Sequence, residues 1–207
     1  RMRDLPPAWA ARPDVQQALA ALYAEFGESG FEAARTAYQA AIAADSTTGV
    51  VSLAAVEQLA NLEARTAVKL TDKEAALERI AQAIDRLTHL QKLAAGAPPG
   101  TTPNTERACL LGSAWKRKAE LLVQAGKGRD AVKEALTQAR DAYKSGEAGP
   151  ASPSFAPYAS LNRLQLDAVL GTKLDDDSKA LLDQCQAAAR QAFAKDFGFW
   201  NAVMPMD

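Results

Sequence analysis

The sequence predicts an all-α protein, an α-solenoid of about four stacked antiparallel helix pairs, on three observations. Ala, Leu, Glu, Gln, Lys and Arg dominate the 207 residues while aromatics supply 6%, a composition that favours helix almost everywhere. Apolar residues recur three and four apart, the period of a helix with one buried face. Small residues recur inside every second helix, as Ala34 and Ala41, Ala76 and Ala83, Ala131, then Ala180 and Ala187. Within a pair they stand two turns apart, so both share one side and let a neighbouring helix approach closely. Helices of this kind are marginal alone in water, so the pairs must stack.

Taken in order, Pro6, Pro7 and Pro13 punctuate an irregular lead-in over residues 1–13 that holds Trp9. Asp14 opens a helix carrying Val15, Leu19, Leu22, Tyr23 and Phe26, and the Gly27 to Gly30 turn ends it. A second helix holds Phe31, Ala34, Tyr38 and Ile42 and closes near Asp45, before a loop at Thr47, Thr48 and Gly49. Ser52 caps a third helix through Val56, Leu59, Leu62 and Val68, which runs to about Leu70. Thr71, Asp72 and Glu74 mark the next start, ahead of Leu77, Ile80, Ile84, Leu87 and Leu90. Residues 97–103, with Pro98, Pro99 and Gly100, form the clearest break, a hinge or a longer loop between pairs, and the loop is favoured.

A long helix follows with Leu111, Ala114, Trp115, Ala119 and Leu122 on one side and Leu110 and Leu121 on another, as expected of a helix covered by neighbours before and behind. Gly126 and Gly128 turn the chain into a helix with Val132, Ala135, Leu136, Ala139 and Tyr143. A second loop at 146–157 precedes a short helix through Leu161, Leu164 and Ala168, closed by Gly171. Asp175 to Ser178 caps a final helix with Leu181, Leu182, Cys185, Ala189 and Phe193. The tail residues Phe197, Phe199 and Trp200 either cap the last pair or form a docking patch, and capping is favoured because a terminal layer must hide its open side. The whole of 1–207 reads as a single helical-repeat domain.

Charge and chemistry narrow the function. A formal net charge of −1 and a pI near 6.0 give no basic field for nucleic acid or anionic lipid, and no apolar run approaches membrane-spanning length. Cys109 and Cys185 fall on apolar stripes and read as small buried hydrophobes in a reducing, cytoplasmic setting. The one histidine, His89, suits a surface or half-buried structural role. Gly126-Lys127-Gly128 lacks the upstream Gly, the following Ser or Thr and the strand of a phosphate loop. Asp175, Asp176 and Asp177 lack the later Gly and Glu of a calcium loop and favour a helix N-terminus instead. No cofactor, metal site or catalytic constellation is expected, and the chain does not read as an enzyme.

The best local match is to the tetratricopeptide repeat, which the chain resembles at Trp115, Ala119, Leu122, Gly126 and Ala131. Ala34, Tyr38, Ala41 and Asp45 resemble its second helix, and Ala64, Ala76, Ile80 and Ala83 keep the same offsets. The alanines at 34, 76, 131 and 180 lie 42, 55 and 49 residues apart against a family period of roughly 34, so the repeats are degenerate, with insertions. The Leu-Gly pair at Leu111 and Gly112 comes seven residues too early for the register set by Gly126. The segments VEQLANLEARTA (56–67), LLGSAWKRKAEL (110–121) and YASLNRLQLDAVLG (158–171) are also similar to the helical region of bacterial proteins carrying a CHAT caspase-like protease, and to the TRAFs-binding helical domain.

The resemblance implies a protein–protein interaction or scaffold module whose first helices line a concave groove. Carrying the offsets across places Asn61, Arg65 and Lys69 on that surface in one repeat, and Lys116, Glu120 and Gln124 in the next. Several cations there would suit an acidic peptide or a terminal carboxylate. Asn162 either extends the groove or caps a loop carbonyl, and the cap is favoured. The CHAT-type resemblance places any effector domain outside these helices, and the opening Arg raises the expectation that the chain belongs to a longer polypeptide. The alternative is an all-α small-molecule-binding or enzymatic domain.

Overall fold

The computed structural model describes residues 7–48, 53–95, 105–148, 155 and 157–195. Ser52, the break at 97–103 and the aromatic tail lie outside them. The described elements are α-helical with one 3-10 turn: α1 (Pro7–Ala10), α2 (Pro13–Glu25), the turn Gly27–Gly30, α3 (Phe31–Thr48), α4 (Leu53–Ala67), α5 (Lys73–Ala95), α6 (Thr105–Gln124), α7 (Arg129–Ser145), α8 (Pro157–Val169) and α9 (Asp176–Lys195). The chain divides into two compact units, residues 1–93 and 94–207.

Local chemistry explains most boundaries. Asp72 accepts the backbone N–H groups of Glu74 and Ala75 at 3.0 and 3.2 Å, and Asp175 accepts that of Ser178 at 2.8 Å. Both carboxylates thereby satisfy donors that a helix start leaves open. At the other ends, α6 and α8 finish alike. Gly126 and Gly171 take φ of 64° and 82°, and the N–H of the following residue reaches back to Leu122 and Asp167 respectively. That left-handed step is cheap only for glycine. Three expected boundaries shift. Proline at a first helical position is pre-set for helix, so Pro7 gives the lead-in a turn containing Trp9, and α2 begins at Pro13 with Arg12 as its cap. Helix α3 continues through Thr48, and α4 stops at Ala67.

In unit 1, α3 packs between α2 and α4. Its core joins Ala20, Phe31, Ala34, Tyr38, Ala55, Leu59 and Leu62, with Tyr23 and Ile42 leaning on it. Ion pairs fasten α5: Arg79 meets Glu32 of α3 at 3.5 Å, and Arg86 meets Glu63 of α4. Glu63 is buried; burial pushes its carboxyl up, and the charges of Arg86, Arg35 and Arg79 pull it part of the way back.

Unit 2 has the same layering. Ala108 lies against Gly146 and Gly112 against Tyr143, so α6 and α7 run antiparallel. Arg163 of α8 bonds Glu147 just past α7, while Arg140 of α7 stands 4.0 Å from Asp167 of α8, so α7 and α8 are antiparallel as well. Ser113 faces Tyr158 and Lys116 faces Asn162, so α6 and α8, the first helices of successive pairs, run side by side in one direction.

The small-residue pattern holds in part. Ala34, Ala41, Ala76 and Ala83 are wholly buried, whereas Ala131, Ala180 and Ala187 are exposed. In α7 the covered stripe is Ala135, Ala139, Ala142 and Tyr143; Ala131 sits on the opening turn, where α6 has already turned away at Gly126. Among the described side chains of α9, Cys185 and Ala189 are buried where α8 packs on that helix, while Ala180 and Ala187 stay exposed.

Candidate partner-binding surface

Of the residues expected at the contact surface, Asn61 and Arg65 lie on α4, Lys69 just past its end, and Lys116, Glu120 and Gln124 on α6. Helix α4 is buried at Ala55, Leu59, Ala60, Leu62, Glu63, Ala64, Thr66 and Ala67, which leaves Asn61 half-buried and Arg65 exposed one turn on. The Arg65 guanidinium stands 5.6 Å from the centre of the Phe31 ring and the Lys69 ammonium 5.7 Å from it. Lys69, just past the helix end, also pairs with Glu28 of the 3-10 turn. Unit 1 therefore gathers Arg65 and Lys69 beside an aromatic face, the geometry of a cation–π contact, with the Lys69 charge already answered by a carboxylate. Asn61 lies apart, one turn back along the stripe.

In unit 2 the expected trio follows the α6 stripe. Lys116 is half-buried and donates to the Asn162 side-chain oxygen at 2.8 Å; the amide N–H of Asn162 donates to the Tyr158 carbonyl at 2.9 Å. Asn162 thus bonds a carbonyl one turn back within its own helix, not the loop carbonyl expected from the sequence, and binds across to α6 too. Gln124 donates to Glu120 at 3.0 Å, both exposed. The six residues therefore fall into a trio in each unit.

The same stripe extends two turns before Lys116, where sequence reasoning placed no site residue. Thr105, Glu106, Cys109, Leu110 and Ser113 line a cavity of about 450 Å³ that opens to solvent, with Tyr158 of α8 as its further wall. Tyr143 stands behind it, wholly buried, its hydroxyl 2.9 Å from Ser113 Oγ and its ring edge-on to Tyr158 at 6.1 Å. Gly112 makes this possible: a Cβ there would come within 2.7 Å of the Tyr143 ring. The signal was present in the sequence as the Leu111–Gly112 pair, set aside as out of register.

The cavity is apolar with a polar rim. Burial, helped by the Glu106 charge, pushes the Cys109 thiol up to about 11, so it stays protonated near neutrality and is a poor nucleophile. Cys109 is thus half-exposed at a cavity wall rather than a core residue, whereas Cys185 is fully buried. His89 is exposed. Among the described residues no cluster of His, Cys, Asp or Glu is placed to hold a metal ion, and no helix is long and apolar enough to cross a membrane.

Compared with known proteins, residues 30–167 match a family model described as Tetratricopeptide Repeats-Sensor. No curated protein and no solved structure matches the chain. Tetratricopeptide-type repeats generally mediate protein–protein interaction, and such repeats are generally non-enzymatic.

Proposed function

The chain belongs to the Tetratricopeptide Repeats-Sensor family, and from that premise we propose that it is a scaffold or sensor module that captures a protein or peptide partner on the exposed first-helix stripes of its repeats. The observation that carries this is the α6–α8 surface. One uncovered stripe there presents a cavity, the Lys116–Asn162 bridge and the Glu120–Gln124 pair in sequence, while Ala108, Leu111, Ala114, Ala119, Leu121 and Leu122 of α6 are buried. Asn61, Arg65 and Lys69 supply the corresponding surface of unit 1. The proposed partner is protein, not nucleic acid or membrane, in keeping with a net charge of −1. The free thiols Cys109 and Cys185 favour a cytoplasmic setting.

The resemblance to CHAT-associated helical regions extends the proposal to a regulatory role in a bacterial signalling or protease-associated protein, with the effector domain outside these helices. Sequencing the native gene on both sides of this segment tests that part. A caspase-like domain in frame supports it, and stop codons bounding the segment overturn it.

Affinity capture from the native host with quantitative mass spectrometry tests the surface itself. A partner retained by the wild type and lost from the Arg65→Glu, Lys116→Glu double variant, with little change in melting temperature, supports the assignment. Equal retention discards it. The alternative, a small-molecule or enzymatic all-α domain, draws on the cavity, whose volume of about 450 Å³ lies within the ~300–1,000 Å³ of small-ligand sites. A thermal-shift screen against nucleotides and metabolites separates the two: a hit abolished by Cys109→Phe favours the alternative.

A further inference from the structure

Two charges on α6 flank the cavity and have no partner of opposite sign among the described residues. Glu106, at its rim, is exposed and has no cation in ion-pair range among the described residues. Lys116, one turn beyond Ser113, is held by the neutral amide of Asn162 at 2.8 Å and has no carboxylate in that range among the described residues. Other charges of unit 2 are paired: Arg163 with Glu147 and Asp167, Arg140 with Asp141, and Lys179 with Asp176. Between Glu106 and Lys116 lie Cys109, Leu110 and Ser113, with Tyr158 opposite. The surface therefore runs negative, apolar, positive along a single helix, over about 15 Å at ~1.5 Å per residue.

Resting on the docking surface proposed above, we infer that this groove binds an extended peptide segment with a bulky apolar residue seated between Tyr158 and Leu110, a Lys or Arg on the Glu106 side and an Asp or Glu on the Lys116 side. At ~3.3 Å per extended residue, the two charges of the ligand stand about four to five residues apart. The apolar anchor supplies affinity, since truncating a central buried anchor costs more than truncating a rim contact. The flanking charges set direction along the groove, because like charges brought together are penalised.

Phage display of random nine-residue peptides on the full 207-residue protein tests this, followed by fluorescence anisotropy with the selected peptides. Enriched peptides should share the basic–apolar–acidic order. Replacing the anchor by Ala should weaken binding about thirtyfold, and neutralising either charge about threefold. Cys109→Phe, which fills the cavity, should abolish binding, with Tyr158→Ala as the second variant if the first fails to fold. The double variant Glu106→Lys, Lys116→Glu should select the reverse charge order. Peptides that need an open cavity but ignore the charge swap overturn the polarity inference and leave the docking surface standing. Peptides indifferent to Cys109→Phe and Tyr158→Ala overturn both. No enrichment also overturns both, and light scattering of the same sample then shows whether a second copy covers the groove.

Discussion

Gly112 and Tyr143 show how one missing side chain shapes a surface. An alanine at 112 would ordinarily help a helix by ~1 kcal/mol, but its Cβ would lie 2.7 Å from the ring of a wholly buried tyrosine. Gly112→Ala should therefore destabilise by about 1–3 kcal/mol in urea unfolding. Gly128→Ala, where an added Cβ meets nothing within 4 Å, should leave stability nearly unchanged; a stabilised Gly112→Ala would contradict the close approach.

Cys109 gives a pH signature. Its folded-state pKa is raised from 9.0 to about 11, so the unfolded chain releases the proton first as pH climbs. Stability from the protonated thiol is complete below pH 9 and lost between 9 and 11, by on the order of 2 kcal/mol at most. Cys109→Ala should show a flatter fall in melting temperature from pH 8.5 to 10. Burial raises the Tyr143 hydroxyl above its ordinary pKa too, so a residual alkaline loss should persist in that variant. At this scale the sequence was partly legible. Arg65 is exposed and Lys116 half-buried, which local spacing could suggest, whereas the cavity depends on Tyr158 meeting Ser113 across 45 residues, which periodicity cannot show.

Helix starts and ends were the most readable elements, because their chemistry is local. Asp72 and Asp175 cap as their positions imply, so Asp72→Ala should cost about 1 kcal/mol, measured by chemical denaturation. The tie between α4 and α5 is different in kind. Glu63 is 3% exposed and meets Arg86 twenty-three residues away, a pairing no local pattern announces. The Arg86 side chain is 33% exposed against 4% for Glu63, so losing its partner leaves it partly solvated, and Glu63→Gln should cost about 1 kcal/mol. Combining it with Arg86→Met should recover part of that loss in a double-mutant cycle. The exposed alanines of α7 and α9 fit the same account: spacing tells which residues share a side, but which side is covered depends on the neighbour, and α8 covers Cys185 and Ala189 instead.

For the whole molecule, the all-α class followed from composition and periodicity, while the division at residues 93 and 94 did not. Stacked repeats owe their stability to intrinsic terms and to nearest neighbours, so damage should stay near where it is made. In Glu63→Gln, amide hydrogen exchange should accelerate in α3, α4 and α5 and stay unchanged in α6, α7 and α8. Uniform acceleration would mean that the chain opens as one cooperative block.

The Lys116–Asn162 bond has a mechanical side. It ties α6 to α8 across the surface through one ammonium and one amide oxygen. The ammonium has three N–H groups, so an arriving acidic group would be received by the same nitrogen that already links the two helices.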